Sequence, residues 1–265
     1  MKKFIKIFIL SFIVLIPLNS LSQKTNTQLR ILTFNIYHGA TMNNDFDLNK
    51  IAQLINSVNP DLVALQEVDY KTKRSRKMDL ATELAKLTDL IPLFGRAMYY
   101  DGGEYGLGIL SKYTFIKTQN HLLPYSEGYE PRAALEILFE LNTGDTVRFV
   151  TTHLDHTKNS NDRINQIKRI RQLFDKNDYP TILAGDFNAS PESEEIKILK
   201  KVWTSCSGDK DISTYPSDKP ERTIDYIFFK PKNSWEISKY KVICDKIASD
   251  HCAVLSIISF ITDYK

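Results

Sequence analysis

From Leu29 onward, short apolar runs alternate with segments of helical period. Arg30-Ile-Leu-Thr-Phe34 reads as a strand, and Leu62-Val-Ala-Leu65 as a second, buried one. Between them, Asp47 to Val58 places Leu48, Ile51, Leu54, Ile55 and Val58 on one helix face, and Asn59-Pro60 ends it. Leu80 to Leu87 and Arg163 to Phe174 are also predicted helices. Ala133 to Leu141 and Val147 to Thr152 read as strands joined by Asn142-Thr-Gly-Asp145, a hairpin signal. Thr181-Ile-Leu-Ala184 runs into Gly185-Asp186, with a short helix expected around Ser193 to Lys201. Strands at Ile224 to Phe229, Trp235 to Val242 and Val254 to Phe260 complete the pattern. Hairpins mixed with helices predict an α/β chain of two packed, mostly antiparallel sheets with helices outside, in one domain over residues 23–265.

The first 22 residues do not fit that pattern. A basic start (Lys2, Lys3, Lys6) precedes an apolar run from Ile7 to Leu18 that closes on Ser20-Leu21-Ser22. This is the layout of a secretory signal peptide. The run is shorter than the roughly 20 residues a spanning helix needs, and no Cys near Ser22 offers a lipid anchor. A secreted or periplasmic protein starting near Gln23, with no stable membrane anchor, is expected. The segment also changes the charge argument. It holds three of the 35 basic residues and none of the 32 acidic ones, so the remainder is electrically balanced. There is no overall pull toward nucleic acid, and any attraction to an anion must be local. Cys206, Cys244 and Cys252 permit one bridge in an oxidising exterior, but their spacing favours none, and they read as small buried hydrophobes.

Polar residues recur where the apolar strands finish or begin: Asn35, Glu67, His153, Asp186 with Asn188, Asp225, and Asp250 with His251. Side chains two apart on an extended chain face the same way, so Asp186 and Asn188 can meet one small object together. They can equally cap the next helix or form a turn. Six such strand ends in one chain are hard to read as caps alone. Glu67 and Asp250 are hard oxygen ligands, and Asn35 can add a carbonyl or orient one of them. That set suits Mg²⁺ or Mn²⁺ with a phosphate. No HExxH or CxxC pattern points to zinc. Asp186 and Asn188 can position an attacking water, and a carboxylate such as Asp225 would fix the tautomer of His251 and raise its pKa.

The ordered set Asn35, Gln66-Glu67, Thr152-His153-Leu154, Gly185-Asp186-Phe187-Asn188, Ile224-Asp225-Tyr226 and Ser249-Asp250-His251 resembles the endonuclease/exonuclease/phosphatase superfamily. The resemblance spans Leu29 to Phe260. It implies a four-layer α/β sandwich of the DNase I type and Mg²⁺-dependent attack of water on a phosphate ester. In that likeness Glu67 is the principal metal ligand, supported by Asn35 and Asp250. Asp186 orients or deprotonates the water, and Asn188 holds it or a phosphate oxygen. His251, paired with Asp225, binds phosphate or acts as general base, and His153 stabilises phosphate or assists the leaving group.

Other segments bear on substrate. Five of the seven residues of Lys71-Thr-Lys-Arg-Ser-Arg-Lys77 are basic, which fits a solvated loop or, through Arg74 and Arg76, a phosphate contact. Arg132 fits either a phosphate contact or an ion pair with Glu130. Asp155 and His156 fit a turn or a leaving-group contact, and Arg163 with Gln166 a brace for the His153 loop. Asp101 to Gly108 is expected to be a tight turn bringing backbone near the site; it lacks the Walker ending. Tyr99, Tyr100 and Tyr105 fit core packing or a pocket wall. Three functions follow: a secreted phosphodiesterase on a small or lipid-derived phosphoester, an extracellular nuclease on DNA or RNA, or a catalytically silent binding protein. A monomer is expected.

Overall fold

The computed structural model describes residues 27–261 apart from 177, 209 and 211; the expected signal peptide, residues 1–22, lies outside them. In chain order the strands are β1 (Thr27–Asn35), β2 (Leu62–Tyr70), β3 (Ile91–Tyr100), β4 (Gly103–Ser111), β5 (Lys117–Leu122) and β6 (Ala133–Glu140). They continue with β7 (Thr146–His153), β8 (Thr181–Asp186), β9 (Thr204–Ser205), β10 (Asp225–Lys230), β11 (Trp235–Ile243) and β12 (Ala253–Phe260). The helices are α1 (Leu48–Val58), α2 (Leu80–Thr88), α3 (Asn161–Phe174) and α4 (Glu194–Lys200).

One six-stranded sheet has the order β11-β12-β1-β2-β4-β3, the other β5-β6-β7-β8-β10-β9. Each holds one parallel pair, β1 with β2 and β7 with β8. A parallel pair needs a crossover, which α1 and α3 supply. The remaining pairings are antiparallel.

The central strands read as continuous apolar runs because both of their faces are covered. Ile31, Ala64, Ile109, Ile137, Phe149, Ile182 and Ile258 fill the space between the sheets. Leu32, Phe34, Val63 and Leu65 face the other way, against Ile51 and Ile55 of α1 and Leu84 of α2. Val150, Leu183 and Phe228 pack on Ile167 and Ile170 of α3 and Ile196 of α4. Each such side chain contributes on the order of 1.5–3 kcal/mol by leaving water. The result is a four-layer α/β sandwich. Asp47 caps α1, its side chain accepting from the Asn49 N–H, and Asn59 closes the helix in the left-handed region (φ 44°).

Three expectations need correction. Asp101 to Gly108 is mostly strand: only Asp101 and Gly102 turn, and β4 starts at Gly103. Its glycines serve strand packing, since a Cβ on Gly106 would lie 2.0 Å from the Gly95 carbonyl. The edge strands β3 and β5 escaped the periodicity. Pro92 and Gly95 interrupt β3, and β5 is polar and largely exposed. Finally, Cys244 and Cys252 are bonded rather than separate buried hydrophobes, while Cys206 is free and buried. The antiparallel register pairs Ile243 with Ala253, which brings the next residues face to face at a Cα separation of 4.2 Å.

Candidate active site

The polar strand ends collect at the carboxyl ends of the two parallel pairs, the rim where α/β sheets bind ligands. Register does the gathering: Asn35 lies opposite Gln66, and Asp186 lies between His153 and Asp225. Gly185 permits this, because a Cβ there would sit 2.0 Å from the Thr152 carbonyl.

Gln66 and Glu67 part ways at a bulge in β2, where Glu67 adopts a left-handed φ of 57°. Gln66 turns inward and ties the sheets together, accepting from Thr33 Oγ1 (3.3 Å) and donating to Thr151 Oγ1 (3.1 Å). Glu67 turns outward into a cavity of about 440 Å³ that Asp250, Asp186, Asn188, His153, His251 and Arg132 also line. Asn35 is fully buried beneath it, donating to Glu67 Oε1 (3.1 Å) and Asp186 Oδ2 (3.2 Å). Its carbonyl oxygen accepts from the Tyr37 N–H at 3.1 Å, so here Asn35 orients carboxylates. Asp250 is set by its neighbour Ser249, whose hydroxyl donates to the Asn35 carbonyl at 2.7 Å.

Asp186 is the hub of the site. Its Oδ1 accepts the Asn188 N–H at 2.9 Å, and its Oδ2 faces Asn35, His153 Nε2 (3.4 Å) and His251 Nε2 (3.7 Å). Asp186 and Asn188 do meet, but not by strand alternation. The strand ends at Asp186, and Asn188 is left-handed at φ 47°, a conformation Asn tolerates. Neither residue caps α4, whose cap is Ser193. Asn188 Nδ2 donates to the Leu154 carbonyl (3.1 Å) and lies 3.1 Å from His153 Nε2. His251 Nδ1 lies 3.1 and 3.2 Å from the two oxygens of Asp225, which is buried behind the cavity wall.

The charges are arranged to differ. Burial opposes a charged His251, but the Asp225 and Asp186 carboxylates outweigh it and raise its pKa to about 10. Burial and then the Arg132 cation push His153 well below 6.5. Its Nδ1 faces the Arg132 donor at 3.3 Å, which leaves that nitrogen no place for a proton, whereas Nε2 faces Asp186 Oδ2 at 3.4 Å as well as the Asn188 amide at 3.1 Å. Burial and Asp225 lift Asp186 to about 7, partly offset by His251 and the Asn188 and Asn35 donors. Burial would also lift Glu67, but His38, His153, Asn35 and His251 hold it at about 2.

Two groupings bear on a cation. Asp186, Asp225 and His251 bring three ligand-type atoms within 4.8 Å of one another. Asp225 and His251 already satisfy each other there as an ion pair. Glu67 and Asp250 fit better. Glu67 is ionised, and Asp250 is raised by burial and by the charge of Glu67, with His251 opposing. Two carboxylates that repel across one cavity are relieved by a hard cation, and their oxygen donors suit Mg²⁺ or Mn²⁺.

Of the arginines expected at substrate, Arg74 lines the cavity while holding Asp69 through two bonds of 2.7 and 2.8 Å. Arg76 does not line it; its guanidinium lies over the Phe46 ring at 5.0 Å. Arg132 makes the ion pair with Glu130 at 2.9 Å and is buried in the cavity wall. His156 joins it, with Nδ1 3.0 Å from the guanidinium. Gln166 and Arg163 do brace the His153 loop: Gln166 accepts from the Asp155 N–H (2.9 Å) and Arg163 donates to the Asp155 carbonyl (3.1 Å). Tyr100 and Tyr105 line the cavity, whereas Tyr99 is exposed under Arg96. Sequence reasoning missed Tyr37, His38, Tyr215 and Arg222, which also line it. His38 sits three residues past Asn35, with Nδ1 3.6 Å from Glu67 Oε2. Only its closeness to a polar strand end could have pointed to it.

Comparison with known proteins agrees with this fold. An uncharacterized Caenorhabditis elegans protein is 28% identical over 222 residues, 72% of this chain; the match spans 64% of that relative's length. An endonuclease/exonuclease/phosphatase protein from Beutenbergia cavernae has a similar structure, with a TM-score of 0.75 and 22% identity over 88% of this chain and 72% of that one. A mannosyl-6-phosphatase from Bacteroides thetaiotaomicron has a TM-score of 0.70 and 19% identity, covering 88% of this chain and all of that one (100%). The model of the Endonuclease/Exonuclease/phosphatase family matches residues 32–251, which contain every strand-end residue described above. The chain therefore belongs to that family of phosphoester hydrolases.

Proposed function

We propose that this protein is an exported, divalent-metal-dependent phosphodiesterase that uses water to cleave a small or lipid-derived phosphoester. The observation that carries the reading is Asp186, a buried carboxylate flanked by a neutral and a cationic histidine in the cavity that also holds Glu67 and Asp250. Environments that push titrating groups apart assign them different tasks. Asp186, raised to about 7, is poised near neutral pH to take a proton from an attacking water. Asn188 holds that water against it. His251, charged through its pairing with Asp225, draws in a phosphate oxygen as a cation rather than acting as a base. His153 and Arg132 form the opposite wall, where the departing oxygen would lie. Glu67 and Asp250 would hold Mg²⁺ or Mn²⁺, with Asn35 steadying Glu67. When bound, such an ion polarises the phosphoryl group and offsets developing negative charge.

The basic loop favours a small substrate over nucleic acid. It wraps the β3–β4 turn: the Arg74 N–H donates to Asp101 Oδ2 (2.8 Å) and Lys77 Nζ to the Gly102 carbonyl (2.9 Å). Of the loop's five basic residues only Arg74 lines the cavity, and Asp69 holds it, while Lys71, Lys73, Arg76 and Lys77 are exposed outside the cavity, so the loop brings no unpaired cation to the reacting centre. Export rests on the sequence of residues 1–22.

The test is turnover by protein starting at Gln23 on plasmid DNA, RNA, sphingomyelin, an inositol phosphate and a generic phosphodiester, with Mg²⁺ or chelator. Cleavage of a non-nucleic substrate, lost with chelator and reduced at least ~100-fold in Asp186→Ala, is expected. Preference for DNA or RNA, with activity falling steeply in salt, would replace this reading with the nuclease. No turnover and no metal binding would leave a silent binding protein.

A further inference from the structure

We propose that Arg222 binds a second anionic group on the substrate, a phosphate or carboxylate distinct from the phosphate being cleaved. This inference rests on the phosphoester reading above.

Three arginines line the cavity: Arg74, Arg132 and Arg222. Asp69 occupies the first through two bonds, and Glu130 pairs with the second. Arg222 has no carboxylate partner among the described residues. Its guanidinium is nevertheless positioned, lying 4.8 Å from the centre of the Tyr215 ring. The other neighbour of that ring is the His251 imidazole, with centroids 4.7 Å apart. The backbone fixes this arrangement. The Arg222 N–H donates to the Tyr215 carbonyl (2.9 Å), and the Arg222 carbonyl accepts from the N–H groups of Tyr215 (3.0 Å) and Thr214 (2.7 Å).

His251 lies deep, beside Asp186, and Arg222 is exposed at the mouth on the same wall, one aromatic ring further out. The phosphate under attack belongs at the deep end, beside Asp186, so Arg222 faces another part of the substrate. A guanidinium held over a ring by cation–π attraction still has N–H groups to donate, in the fork geometry that fits carboxylate and phosphate oxygens. One such cation is a point of recognition, not a track along a polymer.

The experiment compares three chromogenic nitrophenyl phosphodiesters that differ only in the second arm: ethyl, 2-carboxyethyl and 2-phosphonoethyl. The wild-type protein with Mg²⁺ is expected to show a KM lower by about tenfold or more for an anionic arm than for ethyl. The arm with the lower KM tells carboxylate from phosphate. Arg222→Gln should abolish most of that advantage, and Arg222→Lys should restore part of it. Lys219→Gln removes a positive charge from the same loop, where Lys219 pairs with Glu221, and should keep the advantage. Equal KM values for all three arms in an active wild type would overturn the inference and leave the phosphoesterase reading standing. Equal losses in Arg222→Gln and Lys219→Gln would overturn it as well, as general surface charge. No turnover of any diester, with RNA, DNA and lipid also uncleaved, would overturn the phosphoesterase reading, and the inference would fall with it.

Discussion

His153 and His251 stand on either side of one carboxylate oxygen, Asp186 Oδ2, at 3.4 and 3.7 Å, and they carry different charges. Burial and then Arg132 keep the first neutral, whereas Asp225 and Asp186 outweigh burial and keep the second protonated. Two identical side chains thus become a neutral polar group and a cation through their surroundings.

The protonated cluster should make stability depend on pH. Asp186, raised from 3.8 to about 7, and His251, raised from 6.5 to about 10, both hold protons that the unfolded chain releases earlier. Their stabilisation is complete below the unfolded values and is lost as pH rises through the folded ones. In chelator, the Tm of the protein should therefore fall between pH 6.5 and 10, and Asp225→Asn should flatten the decline. A Tm independent of pH over that window would contradict the assignment. Turnover with metal should rise with pH as Asp186 loses its proton; the added cation places that limb at or below about 7.

Metal binding should relieve the repulsion between Glu67 and Asp250. A cation that binds only the folded state adds about 2.7 kcal/mol at a hundredfold excess over Kd. For a domain of this size that raises Tm by roughly 5–10 °C. Glu67→Gln should remove the shift for Mg²⁺ and Mn²⁺; because the fold holds Glu67 ionised down to about 2, the variant should also lower the chelated Tm at neutral pH, and the metal shift is read against that new baseline. An unchanged shift in that variant would move the metal to the Asp186–Asp225–His251 grouping.

The Cys244–Cys252 bond closes the loop that carries Asp250 and His251. Replacing both cysteines by Ala should cost about 2–3 kcal/mol through freedom returned to the unfolded chain. It should also weaken metal binding, measured by calorimetry with Mn²⁺, because Asp250 loses its anchor. A stability loss with unchanged Mn²⁺ affinity would limit the bond to the scaffold.

Much of this was legible in the sequence, for physical reasons that differ by element. The strands covered on both faces announce themselves as apolar runs, and the α1 stripe from Leu48 to Ile55 lies on the core as its period requires. Edge strands carry no such signal, so β3 and β5 went unseen. Asp186 and Asn188 were found for a reason that proved incomplete: a left-handed turn joins them, not strand alternation. Arg74 and Arg76 look alike in sequence, yet Asp69 and Phe46 send them to different places. Which cation is left without a partner, Arg222 rather than Arg76, is a property of the folded loops.

The sheet order sets β12 beside β1, joining the last described strand to the first. The loop leading into β12 carries Asp250 and His251, and the other half of the His251 ion pair, Asp225, belongs to the opposite sheet. The candidate site is therefore also the clasp of the fold: a chain cut before this loop would lose both the His251 imidazole beside Asp186 and the strand that joins β11 to β1.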